Sequence, residues 1–153
     1  MQRLFRRILV PHDFSAHATH ALSLAADLAA ANHGKLVVLH AIQPFYPAAG
    51  IPPAEGIAWI PPVDLVAGER RRLEKLVKRT LGRRKVRAQV RVELGDPHHR
   101  IVEVARGVDL IVMPTQGRTG LSHLLIGSVA EKVVRHSPVP VLTLRASRQR
   151  RRR

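Results

Sequence analysis

The residues best suited to chemistry are three glycines and a serine in the last third of the chain. Gly117 and Gly120 follow the apolar residues 110–113, and Gly127-Ser128 opens a stretch of helical periodicity. A glycine lets a ligand approach the backbone because it carries no Cβ. The first turn of a helix offers free N–H groups and a partial positive charge, which favour phosphate. This loop is therefore the candidate anion-binding site.

The common nucleotide-binding and catalytic signatures are missing from the sequence. It contains neither Gly-x4-Gly-Lys-Ser/Thr nor a Gly-x-Gly-x-x-Gly after a strand. Composition and spacing alone leave two interpretations open, a ligand-binding loop or a plain connection before a capped helix. No nucleophile, base and orienting group occur together, and Asp13 is the one obvious carboxylate in the loops. We therefore predict that the protein is not an enzyme.

Nine histidines raise the question of a metal site. His17 and His20 share a helix face, and His98 and His99 are neighbours that a helix would point apart. No acidic cluster accompanies them, so we predict no metal site. His40 lies in a predicted strand, and we expect it to be an internal histidine whose hydrogen bonds are satisfied.

Five predicted strands would position the glycine loop. Apolar runs at 8–10, 35–42 and 110–113 are typical of strands that are buried on both faces. Residues 86–94 alternate strictly between apolar and polar types, which predicts a half-exposed strand at a sheet edge. A last apolar run at 139–144 predicts the fifth strand.

Four predicted helices separate these strands. They lie at 18–33, at 64–81, at 98–106 and from 128 to a stop at Ser137. Ser15 and Asp96 are the predicted N-caps of two of them, and Gly34 and Gly82 are the predicted residues at two C-terminal ends. Strand and helix thus alternate along the whole chain.

This alternation predicts a single doubly wound α/β sheet of five parallel strands. Such sheets bind ligands at the carboxyl ends of their strands, where the strand order reverses. The loops after the first and fourth strands, 11–14 and 114–127, are expected to meet there. Residues 43–63 carry six prolines, which exclude a regular helix and predict a long loop.

Composition limits the class of protein. Hydrophobic residues make up 45% of the 153 residues, which favours a globular domain with a sizeable core over disorder. No apolar run is long enough for a transmembrane helix, and the one near the N-terminus is too short for a signal peptide. Without cysteine there is no disulfide framework. We predict a cytoplasmic protein.

The positive charge is large and partly clustered. Lys and Arg number 26 against 11 acidic residues, and basic runs fall at 70–72, 83–85 and 145–153. We predict one domain over 1–145 and a disordered basic tail over 146–153. The charge is either a solvated surface or a weak binding surface for nucleic acid or another anionic partner. Aromatic residues make up only 3% of the chain, so few side chains are available on which nucleic-acid bases could stack.

The sequence resembles the universal stress protein family up to residue 145. The resembling segments are 8–15, 39–41, 95–97 and, above all, 117–144. The resemblance implies a Rossmann-like sheet in strand order 3-2-1-4-5 with helices on both faces. It also implies a homodimer formed through the fifth strand, here residues 139–144.

The nucleotide-binding branch of this family carries the motif Gly-x2-Gly-x9-Gly-Ser/Thr. Gly117, Gly127 and Ser128 satisfy its last three positions and place Pro114 where the first glycine belongs. The alternative register, in which Gly117 and Gly120 form the first pair, puts Ala130 in the third glycine's place. Proline lacks an N–H and has a restricted φ, so this departure either abolishes binding or only stiffens the rim of the site.

The resemblance implies a ligand, ATP or a related adenine nucleotide, with or without Mg²⁺. It implies that Asp13 accepts hydrogen bonds from the ribose or the base. It also implies that Gly117 lets the backbone approach the phosphates. It further implies that Gly127, Ser128 and Val129 bind the phosphates at the N-terminus of the last helix. It implies an adenine pocket lined by Pro11, His12, Ala41 and Met113.

The residues alone also allow a structural role for each of these positions. Asp13 is suited to stabilising a turn, Gly127-Ser128 to starting a helix and Met113 to a core position. We predict a non-catalytic stress-response or signalling module that binds adenine nucleotide and forms a homodimer. Two alternatives stay open, a nucleotide-free dimeric interaction protein whose site is lost at Pro114, and a protein that binds anionic partners through its basic surface.

Overall fold

A computed structural model describes residues 5–43, 62–116 and 126–145 of the chain. Strands and helices alternate along these ranges. They are β1 (Arg7–Pro11), α1 (Ala16–Ala31), β2 (Lys35–Ile42), α2 (Leu65–Leu81), β3 (Arg87–Leu94), α3 (Pro97–Ala105), β4 (Leu110–Pro114), α4 (Ser128–His136) and β5 (Val141–Leu144). The predicted elements are confirmed, with ends that differ by one or two residues.

The five strands form one parallel sheet in the order β3-β2-β1-β4-β5. This order confirms the predicted doubly wound topology and places the alternating strand β3 at an edge. The β1–β2 ladder runs as far as Pro11, which lies opposite Leu39. The β1–β4 ladder ends earlier, at Leu9 opposite Ile111. The two central strands therefore separate toward their carboxyl ends, where the strand order reverses.

Apolar residues cover both faces of the sheet. Ile8 and Val10 of β1 pack with Leu22 of α1 and Leu73 of α2 on one face. The opposite face packs against the other two helices through a second cluster, formed by Leu9, Val37, Leu39, Ile101, Val104, Ala105, Val108, Ile111, Met113, Ala130 and Val133. Double-sided burial explains why the central strands are continuous apolar runs rather than alternating ones.

The predicted N-caps are confirmed. The Ser15 Oγ accepts a hydrogen bond from the Ala18 N–H at 3.1 Å. The Asp96 Oδ1 accepts one from the His99 N–H at 3.1 Å. Each cap satisfies one of the amides that a helix leaves without an internal partner, and so sets where the helix begins.

The end of α1 differs from the prediction. The left-handed residue is His33, with a φ of 51°, and not Gly34. Gly34 is needed for a close approach instead, because a Cβ there would lie 2.8 Å from the carbonyl oxygen of Arg6. Its N–H donates to the Ala29 carbonyl oxygen at 2.7 Å. The sequence correctly indicates that position 34 needs a glycine. The reason is the close approach to Arg6 and not a left-handed conformation at the end of the helix.

The start of β5 also differs, because pairing begins at Val141 and not at residue 139. The Pro140 carbonyl accepts the Ile111 N–H at 3.0 Å, which starts the ladder just before Val141. Most of the predicted loop at 43–63 and the whole tail at 146–153 lie outside the described residues. Within the described ranges, no helix combines the length and the apolar character needed to cross a membrane.

Candidate functional site

A cavity of about 550 Å³ opens at the carboxyl ends of β1, β2 and β4. It is bounded on the other side by the N-terminal residues of α3 and α4. This is the point at which β1 and β4 separate. Its volume falls in the range of about 300–1,000 Å³ that is typical of small-molecule sites.

Nearly all of the predicted site residues surround this cavity. They are Pro11, His12, Asp13, Ala41, Met113, Pro114, Gly127, Ser128 and Val129. The remaining one, Gly117, lies outside the described residues. The structure thus brings together residues from the carboxyl ends of β1, β2 and β4 and from the start of α4, which are far apart in the sequence.

Sequence reasoning missed several residues that line the same cavity. Pro97 and Ile101 come from α3, Gln43 from the end of β2, and Thr115 and Gln116 from the end of β4. Residues that follow a strand at the switch point are a signal that could have found Gln43, Thr115 and Gln116. The contribution of α3 follows only from how that helix packs.

The first turn of α4 presents uncapped amides to the cavity. Gly127 is the N-cap, and no side chain caps it. The first bond inside the helix runs from the Glu131 N–H to the Gly127 carbonyl oxygen at 2.9 Å. In the described part of the chain, the N–H groups of Ser128, Val129 and Ala130 therefore have no acceptor. Such a helix end favours an anion.

Gly127 is held against the backbone that leaves β4. Its N–H donates to the Thr115 carbonyl oxygen at 2.7 Å. A Cβ at this position would lie 3.2 Å from the same oxygen, which is tight but requires only a small shift. Its φ of −61° is ordinary. The glycine therefore serves close packing of the loop against α4 and not an unusual backbone conformation.

His12 stabilises the loop after β1 from the inside. The side chain is buried, its Nδ1 accepts the Phe14 N–H at 3.0 Å, and its Nε2 lies 3.3 Å from the Thr19 hydroxyl. An Nδ1 that accepts must be unprotonated, so the ring is neutral with its proton on Nε2. Burial lowers the pKa of His12 to about 4, which agrees with this assignment.

His40 is the satisfied internal histidine that the sequence predicts. Its Nδ1 lies 2.8 Å from the His12 carbonyl oxygen. Because a carbonyl only accepts, this nitrogen must carry the proton. The other ring nitrogen, Nε2, lies 3.9 Å from a carboxylate oxygen of Glu69 on α2. His40 therefore links the end of β2 to the loop at the cavity.

Asp13 has a structural role as well as a place at the cavity. Its Oδ1 accepts the Ser15 N–H at 3.0 Å, which stabilises the turn into α1. Phe14, the next residue, has a φ of 65°, which is rare for a bulky side chain. The Arg72 guanidinium lies 4.0 Å from the Phe14 ring centroid, so α2 holds this strained residue in place.

Pro114 fits the end of β4 without a lost ladder bond. The amides of Ile111 and Thr115 donate to carbonyls on the β5 side, at 3.0 and 2.9 Å. Nitrogens alternate in direction along a strand, so the nitrogen of Pro114 faces the β1 side. The β1–β4 ladder has already ended at Leu9 and Ile111. A proline is accommodated here because no strand amide is required.

The prediction that His98 and His99 point apart is wrong. Their ring centroids lie 4.9 Å apart, and His98 also lies 5.0 Å from the ring of His136 on α4. Side chains in the first turn of a helix can lean toward each other when a neighbouring helix supplies a contact. In this case α4 supplies it, which no pattern in the sequence around α3 indicates.

Part of the predicted positive surface lies on α2. Arg71, Lys75 and Lys78 are exposed and follow each other at helical spacing, opposite the buried Leu73 and Val77. Within the described ranges none of these three cations forms an ion pair. The binding of nucleic acid or another anionic surface stays a prediction.

The sequence model of the universal stress protein family matches residues 4–145. The chain belongs to the universal stress protein family. A universal stress protein of Methanocaldococcus jannaschii is 35% identical over 150 residues, which cover 94% of this chain and 84% of that protein. One from Thermus aquaticus is 32% identical over 145 residues, covering 93% and 100% of the two chains.

Solved universal stress proteins share the fold. The structure of UspA from Lactobacillus plantarum has a TM-score of 0.77 and 24% identity, with 93% of this chain and 99% of that one covered. A universal stress protein in complex with cAMP has a TM-score of 0.65 and 24% identity, covering 94% and 99%. One from Archaeoglobus fulgidus in complex with dAMP has a TM-score of 0.59 and 20% identity, covering 92% and 98%.

Proposed function

We propose that this universal stress protein binds ATP or a related adenine nucleotide in the cavity at the switch point, and acts as a non-catalytic stress-response or signalling module. One observation carries the proposal. The uncapped amides at the start of α4 and the carboxylate of Asp13 line the same cavity. A nucleotide needs both, because its phosphates are anionic acceptors and its ribose hydroxyls are donors.

The rest of the cavity suits the base. Ala41 and Ile42 at the end of β2 and Met113 at the end of β4 supply apolar lining. The small side chain of Ala41 leaves room for a planar ring beside the strand. The neutral His12 adds no charge to this part of the site. An apolar pocket with few convergent polar groups is the usual form of a small-molecule site.

The relatives with bound ligands support the class of ligand. Two solved universal stress proteins of this fold hold cAMP and dAMP, which are both adenine nucleotides. At 24% and 20% identity, these likenesses establish the shared fold alone. The argument for this chain therefore rests on its own residues at the cavity.

The lining favours binding over turnover. Among the described residues around the cavity, Asp13 is the sole carboxylate, and its Oδ1 is engaged in the turn. Phosphoryl transfer ordinarily needs a carboxylate that holds Mg²⁺ and a group that positions the nucleophile. Mg²⁺, if it accompanies ATP, would be held mainly by the phosphates and water. The cytoplasmic location stays a prediction.

The proposal is tested by the melting temperature with and without ATP, AMP and cAMP. A nucleotide at about a hundred times its Kd adds about 2.7 kcal/mol of stability, which raises Tm by several degrees in a domain of this size. Ser128→Asp places a carboxylate at the exposed first residue of α4, which suits the helix dipole but repels phosphate. We expect this variant to fold normally and to lose most of the nucleotide-linked shift.

Ala67→Asp is the matched control, since Ala67 is exposed in the first turn of α2 and lies away from the cavity. This variant should keep the full shift. If no adenine nucleotide moves the melting temperature of the unaltered protein, the nucleotide-free alternative holds. If nucleotide raises the melting temperature equally in Ser128→Asp and in the unaltered protein, the first turn of α4 does not contribute to binding.

A further inference from the structure

A cluster of metal-ligating side chains lies at the start of α3, outside the roles assigned to the cavity. Asp96, His98 and His99 each offer one ligand atom, and these three atoms lie within 4.8 Å of one another. Asp96 is the N-cap of α3, and both histidines belong to its first turn. His136, at the end of α4, contacts the same group.

The orientation of the His98 ring is set from both sides. Its Nε2 lies 3.1 Å from the Nδ1 of His136. Its Nδ1 faces Asp96, with 3.9 Å to the Oδ1. Only 13% of the His98 side chain is exposed, so its neighbours restrict the ring. The His136 Nδ1 also lies 2.9 Å from the Lys132 carbonyl oxygen, so it carries a proton and the His98 Nε2 accepts from it. Neutral His98 then carries its own proton on Nδ1, and an ion that binds this nitrogen requires the proton to move to Nε2.

The sequence alone predicts no metal site, but the structure brings Asp96 beside the two histidines, and we propose that Asp96, His98 and His99 form a binding site for a divalent transition-metal ion of the zinc class. Imidazole nitrogens with one carboxylate oxygen are typical ligands of Zn²⁺, and they disfavour Mg²⁺, which prefers oxygen. His136 is a positioning residue, because its ring centroid lies 5.0 Å from that of His98 and its ring limits how the His98 ring can turn. Such outer partners fix the orientation of metal-binding histidines in general.

The ligand atoms need only a small contraction to bind an ion. Zn–N bonds of about 2.0–2.1 Å bring neighbouring ligand atoms to about 3–3.4 Å from each other. His99 is exposed, so it can rotate toward His98 without disturbing the core. The Asp96 side chain is 44% exposed, and its carboxylate can bind an ion while its Oδ1 keeps the hydrogen bond from the His99 N–H. The negative charge of Asp96 favours a cation there, while the nearby Lys132 opposes one.

The site adjoins the proposed nucleotide site but does not depend on it. Pro97, between Asp96 and His98, lines the cavity, and His136 belongs to the helix whose first turn faces it. A bound ion would reinforce the contact between α3 and α4, which together border that cavity. Metal binding is measured without nucleotide, so its failure and the failure of the proposed function are separate results.

The test is calorimetric titration of ZnCl₂ into the full, untagged chain after removal of metals with EDTA. We expect saturation at one Zn²⁺ per chain, no saturable binding of Mg²⁺, and a melting temperature that rises with Zn²⁺. His98→Ala and His99→Ala should each weaken Zn²⁺ binding at least about tenfold. Asp96→Asn should also weaken it, although asparagine retains an oxygen that can cap the His99 N–H.

His20→Ala is the matched control, because His20 is an exposed helical histidine on α1. It should bind Zn²⁺ as the unaltered chain does. Far-UV circular dichroism and Tm in EDTA establish that each variant is folded. The proposal is overturned if Zn²⁺ does not saturate a single site, or if His98→Ala and His99→Ala bind as tightly as the unaltered chain. It is equally overturned if His20→Ala is weakened to the same extent.

Discussion

The side chain of His12 is kept neutral by the loop that it supports. Its neutral form accepts the Phe14 N–H and lies beside the Thr19 hydroxyl, and burial lowers its pKa from 6.5 to about 4. Protonation in the folded state would place a buried charge next to an amide donor. The loop that carries Asp13 to the cavity therefore depends on the protonation state of one imidazole.

This dependence predicts a loss of stability at acidic pH. In the unfolded chain His12 takes up a proton near pH 6.5, but in the folded chain only near pH 4. The unfolded state thus binds more protons between these values, and the free energy of unfolding falls as the pH falls through this window. The contribution of His12 is about 3 kcal/mol at most.

His12→Asn provides the comparison, because asparagine can accept the Phe14 N–H through the same two-residue turn and does not titrate. We expect the difference in unfolding free energy between the two proteins to shrink from pH 7 to pH 4.5, as measured by urea denaturation. Carboxylates titrate in both proteins and cancel in this difference. Parallel pH profiles would show that His12 does not contribute.

At the scale of elements, two glycines have opposite effects on their helices. Gly34 follows α1 and lies so close to the Arg6 carbonyl that a Cβ would stand 2.8 Å from its oxygen. Gly68 lies inside α2, where a Cβ would meet nothing within 4 Å. The first glycine is required by packing between α1 and the start of β1. The second only weakens a helix that alanine would favour.

Alanine substitutions at these two positions should therefore change stability in opposite directions. Gly68→Ala should raise the free energy of unfolding by about 0.5–1 kcal/mol, from helix propensity. Gly34→Ala should lower it by about 1–3 kcal/mol, because backbone must move to admit the methyl group. Urea midpoints at unchanged m-value measure both effects. Two stabilising substitutions would mean that the backbone near Arg6 yields easily.

At the scale of the whole molecule, β5 is an edge strand with exposed apolar residues nearby. Its outer side has no partner strand in the described part of the sheet. Leu142 of β5 is 39% exposed and Val134 of α4 is 50% exposed. An open edge beside apolar side chains is suited to association with a second copy. The homodimer through residues 139–144 stays a prediction, and these features make it testable.

Leu142→Arg should convert the predicted dimer to a monomer, because a charge would be buried at the centre of the strand interface. Sedimentation velocity at several concentrations measures the change. Val63→Arg is the control, since Val63 is 95% exposed and lies before α2, away from β5. A dimer that survives Leu142→Arg must use another surface, and an unaltered chain that sediments as a monomer contradicts the prediction directly.

Local patterns predicted the elements and most of the cavity. Apolar runs, caps such as Ser15 and Asp96, and the alternation of β3 are encoded within a few residues, so they can be recognised without the fold. The motif that includes Gly127 and Ser128 added the position of the candidate anion-binding turn. Such patterns failed at Gly34, where the cause is contact with Arg6, and at α3, whose Pro97 and Ile101 line the cavity.

By itself, the sequence determined the parallel α/β fold, the family and the helix end that faces the candidate ligand. The tertiary structure alone decided that Pro114 lies where the β1–β4 ladder has already ended, so that its missing N–H disturbs no pairing. It also decided that His136 meets His98, 38 residues away in the chain. The physical reason is that periodicity and caps act within one or two turns, whereas these contacts depend on how separate strands and helices pack.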